Sequence, residues 1–404
     1  MPTTLISLIG KGRLDPKTGY RTARYHYPDG QVRETPFFGM GLNDCIRPDK
    51  LILVGTRGSM WDVFFEHQKA GGDESILALI NAVHTESVTQ DMLTAPEQQL
   101  SARFGIPVQC LLIPYAENES EQAQILLELA GAVQPGEHII LDVTHGFRHL
   151  PMLALVAARY LKYVGRVQIQ DVYYGALEMT GGNGETPVLN LGGMLRMLDW
   201  VEALAVYEHS GDYGIFKELF EADGMPADRT AMLGRAAYFE RSSNPVQARQ
   251  NLTGAFKHIQ QHSGALGRLF SAPLAENVAW FEGESRAEWE ISLADLYLAR
   301  HDYLRAIIFM LEGFISLSVL RKRFSDVNDY DQREAARHEE RFRSDDFQLL
   351  TKLRNAMAHG SLPSKSKNEI IKTARRLLLN EEVLELELKK LRERIFSSIK
   401  ASHD

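Results

Sequence analysis

Five short apolar runs constrain this chain more than anything else in it: TLISLIG (4–10), KLILVGT (50–56), VQCLLIP (108–114), EHIILDV (137–143) and VQIQDVYYGAL (167–177). They are nearly continuous in apolar residues rather than alternating, so a strand made from them must be covered on both faces. Helical patterns lie between them near 61–84, 118–132 and 150–164. The alternation predicts an α/β fold, Rossmann-like, with a mostly parallel sheet and helices on both faces. Two insertions read as hairpins: RYHYPDGQVRE (24–34), with a Pro-Asp-Gly turn, and LEMTGGNGETPVLNL (177–191), with a Gly-rich turn.

Strand signals nearly vanish after residue 192. MLRMLDWVEALAVYEH (194–209) begins a helical half. In YLRAIIFMLEGFISL (303–317), Leu304, Ile307, Ile308, Leu311, Phe314 and Ile315 keep the spacing of one buried helix face. Leu384, Leu388, Leu391 and Ile395 do the same near the end. GMPADRTA (224–231) and RSSNPVQ (241–247) read as helix–helix connections, and RFSDVNDYDQRE (323–334) as a polar loop or mobile segment. The expected organisation is a binding or sensing domain over 1–192 and an all-α region over 193–404.

With 44% hydrophobic and 24% charged residues the composition is globular, so each half can bury its own core. The most apolar run, AIIFMLEGFISLSVL (306–320), falls short of the ~20 residues of a bilayer span and is interrupted by Glu312; no membrane association is expected. MPTTLISLIGKG lacks a basic segment ahead of its apolar stretch and reads as a strand rather than a leader. Cys45 and Cys110 stand far apart in no metal-type spacing, which fits a reducing cytoplasm. A net charge of −8 argues against a general nucleic-acid binder. Yet Lys352, Arg354, Lys365, Lys367, Lys372, Arg375 and Arg376 face the single acid Glu369 within one stretch, a local basic surface suited to a selective anionic partner or simply to solvent.

In an open α/β sheet, ligands sit beyond the carboxyl ends of the strands. The segments there are GKGRLD (10–15), GTRGSMWD (55–62), DVTHGFRHLP (142–151) and YYGA (173–176). Glycine permits close backbone approach, and Lys11, Arg13, Arg57 and Arg148 can neutralise phosphate. Trp61, His145, Phe147, Tyr173 and Tyr174 could stack on bases. No loop matches a dinucleotide or nucleoside-triphosphate fingerprint. His145 and His149, four apart, could share a metal, but no third ligand is in view, so no metal is expected.

KLRNAMAHGS (352–361) holds the other candidate group. On a helix Asn355 and His359 share a face, whereas Arg354 and His359 point about 140° apart. One helix by itself is therefore an awkward site, and a second copy across a two-fold axis would complete it. Such residues could cut RNA without metal: the 2′-hydroxyl attacks the adjacent phosphate, Arg stabilises the developing charge, and His moves protons near neutral pH.

RNAMAHG resembles the RxxxxH motif of HEPN ribonucleases, while LVGTRGSMWD (53–62) and LDVTHGFRHLPM (141–152) resemble ligand-loop motifs of CARF domains. In order and extent the chain is similar to the CARF–HEPN ancillary ribonucleases of type III CRISPR systems, in the branch carrying THGFR. The resemblance implies a homodimer, or a higher oligomer, that binds one cyclic oligoadenylate and then cuts single-stranded RNA in antiviral defence. Cyclic tetra-adenylate is the first choice and cyclic hexa-adenylate the second. It makes Arg354 and His359 catalytic and Asn355 supportive. It places the cyclic oligoadenylate contacts at Gly10, Lys11, Gly12, Arg13, Thr56, Arg57, Gly58, Ser59, Met60, Trp61, Thr144, His145, Gly146, Phe147, Arg148, Tyr173, Tyr174 and Gly175. Many relatives carry Lys in the later motif where this chain has Arg148. Alternatives are a CARF sensor that acts by binding, or one that degrades its own activator, with Thr56, Ser59 or Thr144 positioning the cleavage.

Overall fold

In the computed structural model the described residues are 1–15, 19–68, 74–147, 149–322 and 326–400. The chain divides into two compact units, Met1–Arg196 and Met197–Asp404.

The first unit is built on β1 (Thr3–Ile9), a small ribbon of β2 (Leu14–Asp15) and β3 (Gly19–Tyr20), then β4 (Ala23–His26) and β5 (Val32–Thr35). β6 (Lys50–Gly55), β7 (Val108–Leu112), β8 (His138–Asp142), β9 (Gln168–Gly175) and β10 (Glu185–Asn190) follow. Apart from the ribbon they form one sheet in the order β5-β4-β10-β9-β8-β1-β6-β7. Pairing is parallel from β9 through β7, with Leu5 opposite Leu51 and Ile6 opposite Ile52. β10 runs antiparallel to β9 and parallel to β4, and β4–β5 is the expected hairpin. The Gly-rich insertion also folds back, but its partner strand is β9 rather than residues 177–180, which form a short helical turn.

Helices α1 (Phe38–Ile46), α2 (Glu74–His84), α3 (Thr94–Phe104), α4 (Glu119–Ala132) and α5 (His149–Tyr160) belong to this unit. Side chains of β1 and β6 alternate between two cores, as a pleated strand requires. Leu5, Ile9, Leu51 and Leu53 pack with Phe38, Leu42, Ile76, Leu79 and Leu100 on one face. Ile6, Leu8, Ile52 and Val54 pack with Ile125, Leu129, Leu150 and Ala157 on the other. The helix expected over 61–84 is a 3₁₀ segment, Trp61–Gln68, followed by α2.

The chain divides within α6 (Gly192–Ser210). The second unit contains α7 (Phe216–Ala222), α8 (Ala227–Arg241), α9 (Pro245–Gln260), α10 (Ser271–Val278), α11 (Arg286–Ala299), α12 (Tyr303–Leu320), α13 (Tyr330–Arg343), α14 (Asp345–His359), α15 (Glu369–Leu377) and α16 (Glu381–Lys400). On α16 the four expected residues Leu384, Leu388, Leu391 and Ile395 are all buried. On α12 the buried face is shifted from the expected stripe, and Leu304, Ile308 and Phe314 are only half-buried. Ala306, Phe309, Met310 and Val319 are buried together with Ile307, Leu311 and Ile315, because α11, α13, α14 and α16 all pack on it. By length and composition α12 could cross a membrane; here its apolar surface serves the core of this unit. Of the segment read as a loop over 323–334, residues 323–325 lie outside the described residues, and the rest becomes helical at Tyr330, where the Asp329 carboxylate accepts the Gln332 amide at 2.8 Å and caps α13.

Leu353 of α14 is fully buried against this core. Leu353→Ala should cost ~2–5 kcal/mol, read by calorimetry as a lower transition for the helical unit with the α/β transition in place.

Candidate functional site

In the sheet, β1 continues outward through β6 to β7, and β8 and β9 fill the other side. The switch point therefore lies between β1 and β8, where an open α/β sheet forms its ligand crevice. The loops after these strands touch. A Cβ on Gly10 would stand 2.4 Å from the Gly146 amide nitrogen, so residue 10 must be glycine, and Gly146 itself has φ 113°.

Several sequence-predicted ligand residues brace this edge from inside. Thr56, Ser59, Met60 and Trp61 are each 2% exposed. The Ser59 hydroxyl donates to Ile9 O at 2.7 Å and accepts the Thr56 amide at 2.9 Å, and the Trp61 indole donates to Thr56 O at 2.9 Å. Trp61 thus has no free face in this chain for a base, and the Thr56 and Ser59 hydroxyls stand 3.3 Å apart within the wall. Gly58 is buried and Arg57 exposed in the same turn. Thr144 accepts the Gly175 amide at 2.9 Å and donates its own to Asp142 at 2.9 Å, and Ser7 donates to the other carboxylate oxygen. Burial pushes Asp142 up to about 6, partly offset by those donors.

His145 is a helix cap. Its Nε2 accepts the Phe38 amide at 3.1 Å, at the start of α1, and its ring packs on Phe37 at 5.4 Å. Nε2 is then unprotonated, and burial lowers the imidazole to about 4. His149 instead donates Nε2–H to Tyr115 O at 2.7 Å, so these two histidines serve different partners. Among the described residues no three His, Cys, Asp or Glu side chains group as metal ligands. Phe147 is 41% exposed and packs on Tyr115 and His149. Tyr173 and Tyr174 are half-buried, the latter donating to Glu178 at 3.1 Å. Arg148 lies outside the described residues.

A cleft of about 700 Å³ opens at this edge. Of the predicted residues, Lys11, Gly12, Arg13, Met60 and His145 line it. Arg21, Arg24, Thr180 and Thr186 line it too, and sequence reasoning missed them because they belong to β3–β4 and the β10 insertion rather than to strand-end loops. Lys11 pairs with Glu86 and Arg24 with Glu185. Arg13 and Arg21 have no ion-pair partner among the described residues and leave two open cations in the cleft, which the carboxylates of Glu34 and Glu178 line as well. That arrangement can hold a phosphate by bidentate contact.

In the helical unit, Ser344 caps α14 by accepting the Phe347 amide at 3.2 Å, and Gly360 ends it at φ 61°. Arg354 and Asn355 line a groove of about 580 Å³ with residues of α12 and α13. His359, exposed at the last residue of α14, does not line it. Arg354 and Asn355 thus line one groove, whereas Asn355 and His359, expected on one face, do not line it together. Of the basic stretch, Lys365, Lys372, Arg375 and Arg376 surround a smaller hollow of about 380 Å³ beside α15, where Lys372 pairs with Glu369.

Arginines open at the switch point of an α/β sheet can take an anion there. Residues 4–178 match the family model described as "CRISPR system endoribonuclease Csx1, CARF domain". The chain is also similar to a CRISPR-associated protein of Methanocaldococcus jannaschii, with 25% identity over 249 residues, covering 55% of this chain and 38% of that protein. The chain thus spans well under half of that relative. Both likenesses support a CRISPR-linked CARF protein with a ligand-sensing N-terminal unit.

His145 supplies a pH signature. Its imidazole lies below the usual 6.5 in the folded chain, so its contribution to stability is present above pH 6.5 and is lost as pH falls toward 4. Asp142 has the opposite sign: raised from 3.8 to about 6, it costs stability above that range and recovers it on acidification. His145→Gln keeps an acceptor for Phe38 without titrating. Chemical denaturation at pH 7 and pH 4.5 should show the gap between parent and variant narrowing at the lower pH by roughly 1–3 kcal/mol.

Proposed function

We propose that this chain is an RNA endoribonuclease of type III CRISPR defence, switched on by cyclic oligoadenylate and acting as a homodimer. The observation that carries the reading is the cleft at the sheet's switch point with Arg13 and Arg21 open on it, formed mostly by the stretch similar to the CARF domain of an endoribonuclease family. Arg13 and Arg21 take phosphates of the activator, and Lys11 can turn from Glu86 toward it. Cyclic tetra-adenylate suits a two-fold pair of clefts, and cyclic hexa-adenylate does so too.

The RNA supplies its own nucleophile, the 2′-hydroxyl, which attacks the adjacent phosphorus as the 5′-oxygen leaves. Arg354 stabilises charge on the phosphoryl oxygens, His359 transfers a proton, and Asn355 orients the group at the end of α14. Because Arg354 and His359 diverge on one helix, the complete HEPN-type site draws on two copies of α14 facing each other. The net charge of −8 is compatible with this, since only the cleft and the surface around 352–376 need attract polyanions.

A labelled single-stranded RNA incubated with the protein and cyclic tetra-adenylate tests the nuclease. Arg354→Ala or His359→Ala should slow cleavage at least ~100-fold while activator affinity stays unchanged. RNA left intact by the parent under cyclic tetra- and hexa-adenylate, or cut as fast by both variants, would remove the reading. In the N-terminal unit, Arg13→Ala should weaken cyclic tetra-adenylate binding about tenfold in calorimetric titration; undiminished affinity would move the phosphate contacts out of this cleft.

A further inference from the structure

The groove that Arg354 and Asn355 line has a second wall on α13, and its charges are not balanced. Glu312 accepts from Arg333 at 2.6 Å and from Arg337 at 3.0 Å, and Glu334 is paired with Arg337. These acids are thereby neutralised within the fold. Arg341 and Arg354 remain on the rim with no ion-pair partner among the described residues, alongside His338. The floor beneath them is apolar, with Leu311, Ile315 and Phe347.

Next to Arg341, outside the lining of the groove itself, an aromatic ring stands in solvent. Phe342 is 71% exposed, and its ring meets that of His338 at 5.0 Å. A large apolar side chain held outward between arginines gains nothing for folding. Open cations beside an exposed ring are what a single-stranded nucleic acid engages, phosphates on the cations and a base on the ring.

We infer that the groove between α12, α13 and α14 is a binding track for single-stranded RNA, with Arg341 and Arg354 holding the phosphate backbone and Phe342, at its edge beside His338, stacking one base. This rests on the proposed nuclease reading and adds to it the path of the substrate. It also gives α13 a function that the RxxxxH pattern does not include.

The test is fluorescence anisotropy with a short labelled oligouridylate, on the full chain carrying His359→Ala so that the probe is not cut. Arg341→Ala should weaken binding about tenfold and lower the slope of log K against log salt by about one, as loss of one phosphate contact does. Phe342→Ala should weaken binding about tenfold with the salt slope unchanged, as loss of stacking does. Both side chains are exposed, so the fold should survive. Unchanged affinity in either variant overturns the track, and so does a change of sedimentation state in either, which would make this face a subunit contact. The two readings fail separately. A parent that never cuts RNA but shows both dependences keeps the track without the nuclease. A parent that cuts while both variants bind as before keeps the nuclease without the track.

Discussion

Asp142 is 1% exposed at the carboxyl end of β8, and the ligand edge of the α/β unit is assembled around it. One carboxylate oxygen takes the Ser7 hydroxyl from β1 and the other takes the Thr144 amide from its own loop. The Thr144 hydroxyl passes the connection to β9 by accepting the Gly175 amide. Three adjacent strands are thus pinned at the end where the crevice opens. Such a group is held at a cost, since burial raises it to about 6, and leaving its donors unmet would cost ~1–3 kcal/mol each. What it secures is position: Gly10 against Gly146, His145 against the start of α1, and a cleft wall on which Arg13 and Arg21 stand.

The helical unit solves the same problem with a buried ion network. Glu290 is fully buried and receives Ser316 Oγ and Arg286, while Arg333 reaches Ser316 at 2.7 Å and Glu312 at 2.6 Å. Three helices, α11, α12 and α13, are thereby held in one register. Buried pairs of this kind add little net stability but suffer heavily if one partner is removed. Their consequence here is electrostatic. They consume the acids near the groove and leave Arg341 and Arg354 to face solvent.

The parallel strands were legible because a strand covered on both faces must be apolar throughout, and few other patterns look like that. The β4–β5 hairpin was legible from Tyr27-Pro28-Asp29-Gly30. α1 was not, since FGMGLNDCI carries two glycines and poor helix formers; its start is set by tertiary contact, with His145 capping Phe38 from more than a hundred residues away. The loops lining the cleft could be named from strand ends, but which side chains face inward could not. Trp61 and Arg13 both look like ligand residues in a glycine-rich loop, and only packing makes one a brace and the other an open cation. Arg24 escaped notice because the parallel pairing of β4 with β10, which sets it opposite Glu185, leaves no local trace, and so did Arg21 just before β4. On α14 the helical period set Arg354 and His359 on different faces and Asn355 with His359, but it gave no sign that Asn355 lines a groove with Arg354.

The central claim is that filling the N-terminal cleft governs RNA cutting by the helical unit. A ligand can shift such an equilibrium only through its differential affinity for the two states. The most direct measurement compares the dissociation constant of cyclic tetra-adenylate with its half-activating concentration for RNA cleavage, in the parent and in Arg21→Ala. The account predicts that both quantities rise by the same factor in the variant, with the rate at saturating activator unchanged. RNA cleavage that proceeds at one rate with or without activator, or a binding loss that leaves half-activation where it was, would contradict it.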